Sequence, residues 1–71
     1  MATEVKSHLT GTVFTVDTSV GAKVSEGDTL LVLEAMKMES PLEAPTAGTV
    51  AEVRVEEGEL VEEDQVLVVL D

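Results

Sequence analysis

Apolar residues recur along the chain in short runs broken by turn residues, and no run keeps a helical apolar period over roughly ten positions. The pattern predicts strands near Thr3–Leu9, Thr12–Asp17, Ala22–Val24 and Thr29–Ala35. It predicts them again near Met38–Ala44, Thr49–Val55, Glu59–Val61 and Val66–Leu70. Gly11, Gly21, Gly27, Gly48 and Gly58 fall between these runs or at their edges, and Pro41 and Pro45 mark an edge strand or its end. Thr29–Leu33 and Val66–Leu70 are apolar at consecutive positions, as in strands buried on both sides. Eight short strands in two sets of four predict an all-β fold of two four-stranded antiparallel sheets packed face to face, equivalent to a flattened barrel.

The two sets are copies of one another. Residues 1–34 align with residues 38–71 without a gap, every position shifted by 37 (48 − 11 = 37 for Gly11 and Gly48). Gly11-Thr12-Val13 falls on Gly48-Thr49-Val50, Leu30 on Leu67, and Val32-Leu33 on Val69-Leu70. Only Ala35, Met36 and Lys37 lack a counterpart. The duplication predicts one domain over residues 1–71 with an internal pseudo-two-fold, and it leaves Lys37 exposed at the connector. The last strand of the first half and the first strand of the second are then joined by a tight hairpin.

Such hairpins recruit Gly, Asn or Asp, because two-residue loops require positive φ at one or both central positions. This one offers Met36 and Lys37 within Glu34-Ala35-Met36-Lys37-Met38-Glu39, a hexamer of good helix formers. A helix of six residues between a strand and Pro41 cannot sustain itself, since isolated helices shorter than about 12 residues are marginal. The hairpin must prevail, at about 1–2 kcal/mol for each residue with a Cβ placed at positive φ. Places where local preference yields to the global fold are where functional demands concentrate.

Composition narrows what the exposed amine can serve. With 71 residues the chain sits near the lower limit for a self-supporting core, and with no cysteine and Phe14 as its sole aromatic residue that core is aliphatic. The absence of thiols also removes disulfides, thiolate metal sites and thiol nucleophiles. A net charge of −11, with only Lys6, Lys23, Lys37 and Arg54 as cations, argues against nucleic acid and against anionic membrane surfaces. The same charge serves either simple solvation or steering toward basic clefts. No apolar run approaches the ~20 residues of a membrane span. No basic segment followed by an apolar one opens the chain, so the expected compartment is the cytosol, or an organelle matrix for a piece of a larger chain.

Gly27-Asp28, Leu30, Glu34-Ala35-Met36-Lys37-Met38, Leu42, Ala44-Pro45, and Gly48 with Val50 together resemble the biotinyl, or biotin carboxyl carrier, domain family. The resemblance spans essentially the whole chain, and its most specific signal is a lysine between two methionines in a tight turn between related halves. It implies a flattened eight-stranded barrel, the barrel-sandwich hybrid, and a carrier that is not itself an enzyme. It implies biotin in amide linkage to Lys37, placed there by a biotin protein ligase. It further implies that the biotin accepts CO2 at a biotin carboxylase site and delivers it at a carboxyltransferase or decarboxylase site. A free lysine amine, with a pKa of about 10.4, is almost wholly protonated at neutral pH, so the ligase must bring an activated acyl donor and promote deprotonation. The unbranched lysine stem then gives a long tether that keeps its load at high local concentration.

Met36 and Met38 read either as flexible core filler or, by the resemblance, as recognition elements for ligase and carboxylase. Ala35 reads as strand filler or as a small residue that keeps the approach to the turn open. Glu34 and Glu39 read as solvent-facing charges or as contributors to ligase recognition. Lys6 and Lys23 lack the flanking motif and are read as surface lysines. His8, alone of its kind, has no neighbouring nucleophile or ligand set and is read as structural or superficial. Glu56, Glu57, Glu59, Glu62, Glu63 and Asp64 lack calcium-loop spacing; they are assigned no metal and read as a solvated edge that discourages aggregation. Two alternatives stay open: a lipoyl carrier, whose lysine usually follows Asp and precedes Ala, and an unmodified adaptor barrel of the kind found in membrane-fusion proteins, which carry a long helical insertion absent here. Thr12–Val24 leaves no room for the thumb of some acetyl-CoA carboxylase carriers, which favours the simpler carriers of pyruvate or propionyl-CoA carboxylases and of decarboxylases.

Overall fold

The computed structural model describes residues 2–71; Met1, the first residue of the first repeat, lies outside the described residues. The strands are β1 (Thr3–Lys6), β2 (Gly11–Val16), β3 (Lys23–Val24), β4 (Thr29–Ala35), β5 (Met38–Glu43), β6 (Gly48–Val53), β7 (Leu60–Val61) and β8 (Val66–Leu70). They form two four-stranded antiparallel sheets of order β1-β8-β6-β3 and β5-β4-β2-β7. Both sheets turn one face inward, where Leu30, Leu31, Leu33, Leu67, Val68 and Leu70 are almost completely buried with Val13, Val50 and Val61. Burying an aliphatic side chain of this kind contributes about 1.5–3 kcal/mol, so this interior is the main source of stability in a chain without disulfides.

Most predicted strands run one to three residues shorter than the hydrophobic pattern suggested. The first ends at Lys6 rather than Leu9 because the chain turns there: Ser7 Oγ, buried, donates to Leu9 O at 2.5 Å. The sixth ends at Val53 rather than Val55, and Arg54 N donates to Leu67 O at 2.8 Å. Predicted and observed bounds coincide for β4 and β8, the strands with the longest apolar runs.

Each sheet takes two strands from each half of the chain, so the halves interlock rather than stack. The shift of 37 carries one set of pairs onto the other: Val5↔Val68 becomes Leu42↔Leu31, and Val16↔Leu31 becomes Val53↔Val68. Loop hydrogen bonds repeat as well, Asp17 N→Leu30 O matching Arg54 N→Leu67 O. Four bulges recur in the same way, and in each one residue lacks a cross-strand partner. Leu30 and Leu67 are the extra residues of β4 and β8, both fully buried; Phe14 and Ala51 are those of β2 and β6.

Burial of β4 on both sides holds only in part. In β8 all of Leu67–Leu70 are buried, but in β4 Val32 is half-exposed. Val69 lies between Glu4 and Glu52 with Arg54 bridged to Glu52 at 3.1 Å, whereas Val32 lies between Pro41 and Thr15. Long charged stems border the first valine and short side chains the second. The Arg54 guanidinium is raised above its usual pKa, chiefly by its hydrogen bond to Glu52, then by the charges of Glu52 and Glu4.

Candidate functional site

β4 and β5 form a hairpin in which Val32↔Pro41, Leu33↔Ser40, Glu34↔Glu39 and Ala35↔Met38 face one another, so that Met36 and Lys37 alone make the turn. Both adopt positive φ, 53° and 64°, as a type I′ turn requires at its two central positions. That turn matches the twist of the strands it joins, which is why the fold imposes it on residues with a Cβ. The only other non-glycine residue at positive φ among those described is Asp64, which occupies the position of Gly27 in the repeat (64 − 37 = 27).

The hairpin tip is almost entirely in solvent. Met36 is 95% exposed and Met38 73%, so neither is core filler. Lys37 is exposed, and among the described residues no ion pair or side-chain hydrogen bond engages its amine. Glu39 is exposed and Glu34 half-exposed, directly opposite one another across the strands, an arrangement of like charges that disfavours the pairing. Ala35 is half-buried, with its Cβ beside Gly11. One hairpin thus concentrates two strained residues, two exposed methionines and a facing pair of carboxylates around one unengaged amine.

Two supports of this hairpin were not visible in the sequence. His8 Nε2 lies 2.7 Å from Ser40 Oγ, tying the β1–β2 turn to β5 across 32 residues. Gly11 lies so close to β4 that a Cβ there would run into the carbonyl oxygen of Glu34. Neither has a sequence signal, since a solitary histidine and a glycine at a strand edge are ordinary features. Lys6 and Lys23 are exposed on the other sheet, away from the hairpin strands. The acidic residues around β7 are exposed and partly occupied with turns: Glu59 Oε1 accepts from Glu56 N at 3.2 Å. Among the described residues no group of three metal-ligating side chains converges.

The pattern of the biotin/lipoyl family, described as "Biotin-requiring enzyme", matches residues 1–70. The chain is 36% identical over 70 residues to the biotinylated protein TB7.3 homolog of Mycobacterium leprae, covering 99% of both. It is 37% identical over 67 residues to pyruvate carboxylase of Bacillus subtilis, covering 94% of this chain but 6% of that one. The structure of urea carboxylase from Kluyveromyces lactis superposes with a TM-score of 0.94 at 30% identity, over 100% of this chain and 6% of the larger one. The chain therefore spans the whole of one small relative and a small fraction of two large carboxylases.

Proposed function

The chain belongs to the biotin/lipoyl family, as a carrier domain and not a catalyst, and from that membership we propose that it is a biotin carboxyl carrier with biotin on Nζ of Lys37. The observation that carries the proposal is the hairpin itself, which presents one lysine at the tip of a strained two-residue turn between two exposed methionines. The site fits the group: an amine free of ion pairs and directed away from the core can enter another enzyme's active site and, once acylated, keep its load in solvent. A biotin protein ligase is the modifying partner. In that step the amine lone pair attacks the acyl carbon of an activated biotinyl donor, the C–N bond forms, the bond to the activating group breaks, and the amine gives up its proton. The formal charge passes from −11 to −12 (−11 − 1 = −12).

Once bound, biotin supplies the capacity to accept a carboxyl group at one site and release it at another. This chain supplies the base, the reach and the recognition surface. The partners are a biotin carboxylase and a carboxyltransferase or decarboxylase, a reading supported by the likeness to pyruvate and urea carboxylases. Met36, Met38, Glu34 and Glu39 act as recognition elements. A lipoyl load is the second reading, because the same family includes both attachments; the methionines on both sides of Lys37 favour biotin.

Intact mass after coexpression with a biotin protein ligase tests the assignment. One added biotinyl group is expected on the wild type and none on Lys37→Arg. A labelled Lys37→Arg protein would remove the site, and wild type left unmodified by a competent ligase would remove the carrier reading. A lipoyl group appearing in its place would establish the second reading.

A further inference from the structure

We infer that Gly11 is a positioning residue for the Lys37 hairpin, with the Ser7–Thr10 turn and the start of β2 acting as the buttress that sets the direction in which the amine is presented. The inference rests on the carrier reading. A Cβ built on Gly11 would meet Leu9 Cδ1 at 2.9 Å and Ala35 Cβ at 3.2 Å, besides lying too close to the Glu34 carbonyl oxygen for any real side chain. The collision with Glu34 is with backbone, so no change of rotamer relieves it, and interiors packed this closely pass on such displacements. Glu34 and Ala35 are the last two residues before the turn, and movement at the root of a hairpin is magnified at its tip. On the other strand Ser40 is held by His8 Nε2 at 2.7 Å. The β1–β2 turn and the first residue of β2 thus abut the two strands of the hairpin, at Ser40 and Glu34, below Lys37.

The duplication supplies an internal control. Gly48 occupies the position of Gly11 (11 + 37 = 48), and a Cβ there would meet the carbonyl oxygen of Asp71 at 2.7 Å. Asp71 corresponds to Glu34 (34 + 37 = 71), so the close approach is common to both halves, whereas the first copy alone lies under the hairpin. Gly48 approaches the end of β8, and Thr49 and Asp71 exchange backbone hydrogen bonds there at 2.7 and 3.0 Å. Alanine at either glycine should therefore strain the fold in similar ways, and only alanine at Gly11 should misplace Lys37.

The test compares Gly11→Ala, Gly48→Ala and His8→Ala with wild type, as substrates of a biotin protein ligase with biotin and ATP, below the lowest of their unfolding midpoints. The expected result for Gly11→Ala is a loss of about tenfold or more in kcat/KM for biotinylation, because a misplacement of about 1 Å can cost up to about a hundredfold. Its Met36, Lys37 and Met38 amide resonances should shift, while Gly48→Ala stays within about twofold of wild type with those resonances in place. His8→Ala, a change at an exposed residue, keeps the test decisive if Gly11→Ala fails to fold; it should lose about threefold in kcat/KM, with its unfolding midpoint lowered by no more than the roughly 4–8 °C that one net hydrogen bond is worth. Wild-type labelling rates in Gly11→Ala, equal losses in Gly11→Ala and Gly48→Ala, or wild-type rates in His8→Ala when Gly11→Ala is unfolded would overturn the inference and leave the carrier assignment standing. Unlabelled wild type would overturn both.

Discussion

Met36 and Lys37 contribute almost nothing to packing, yet each holds its backbone at positive φ, where a residue with a Cβ is disfavoured by about 1–2 kcal/mol. Met36→Asn, which suits the first central position of a type I′ turn, should therefore stabilise the protein by about 1 kcal/mol. In a domain of this size that raises Tm by about 4–8 °C in a thermal melt. The same variant should be a poorer ligase substrate, since it removes a 95%-exposed side chain from beside the target amine. Glu39→Gln should act in the same two directions: relief from Glu34 stabilises by a few tenths of a kcal/mol, and labelling slows if a basic ligase surface reads the pair. A Glu39→Gln protein with unchanged Tm and unchanged labelling would show that the facing carboxylates are merely solvated. The strain at this turn was legible in the sequence, because the strand prediction left two residues with poor turn propensity between paired strands. The supports below it were not, since the His8–Ser40 contact joins residues 32 positions apart.

At the scale of elements, equivalent positions in the two halves do equivalent work. Leu30 and Leu67, the bulge residues of β4 and β8, are both fully buried, so Leu30→Ala and Leu67→Ala should each cost about 2–5 kcal/mol. Urea unfolding should give similar losses for the two; a difference of more than about twofold would show that the halves are packed unequally. The β3–β4 and β7–β8 turns differ instructively, with φ of 90° at Gly27 and 72° at Asp64. Nothing lies within 4 Å of a Cβ built on Gly27, so Gly27→Ala should cost only the backbone term, about 1–2 kcal/mol. Asp64→Gly should recover part of that amount in the other half. The strands themselves were legible in the alternation of apolar and turn residues. Their ends and bulges were not, because a bulge breaks the period of two that the sequence pattern relies on.

Taken whole, the molecule confines a net charge of −11 within about 33 × 17 × 17 Å. Much of that charge falls within one screening length at low salt, where the Debye length is ~30 Å at 0.01 M and ~8 Å at 0.15 M. Self-repulsion should therefore weaken the fold in dilute buffer, and Tm should rise as sodium chloride is raised across that range. A flat or falling Tm would show that the acidic residues are spaced well enough to be indifferent to one another. The amino-acid sequence by itself determined the eight strands, the duplication and the singular lysine, because these depend on the order of apolar, turn and charged residues along the chain. Tertiary structure decided which strands share a sheet: each sheet takes two from each half, a choice made by long-range pairing and shared burial that no local pattern records. It also decided that Gly11 and His8, unremarkable in the sequence, stand beneath Lys37, because β2 pairs beside β4 in the hairpin's own sheet and so brings Gly11 against Glu34 and the preceding turn against β5.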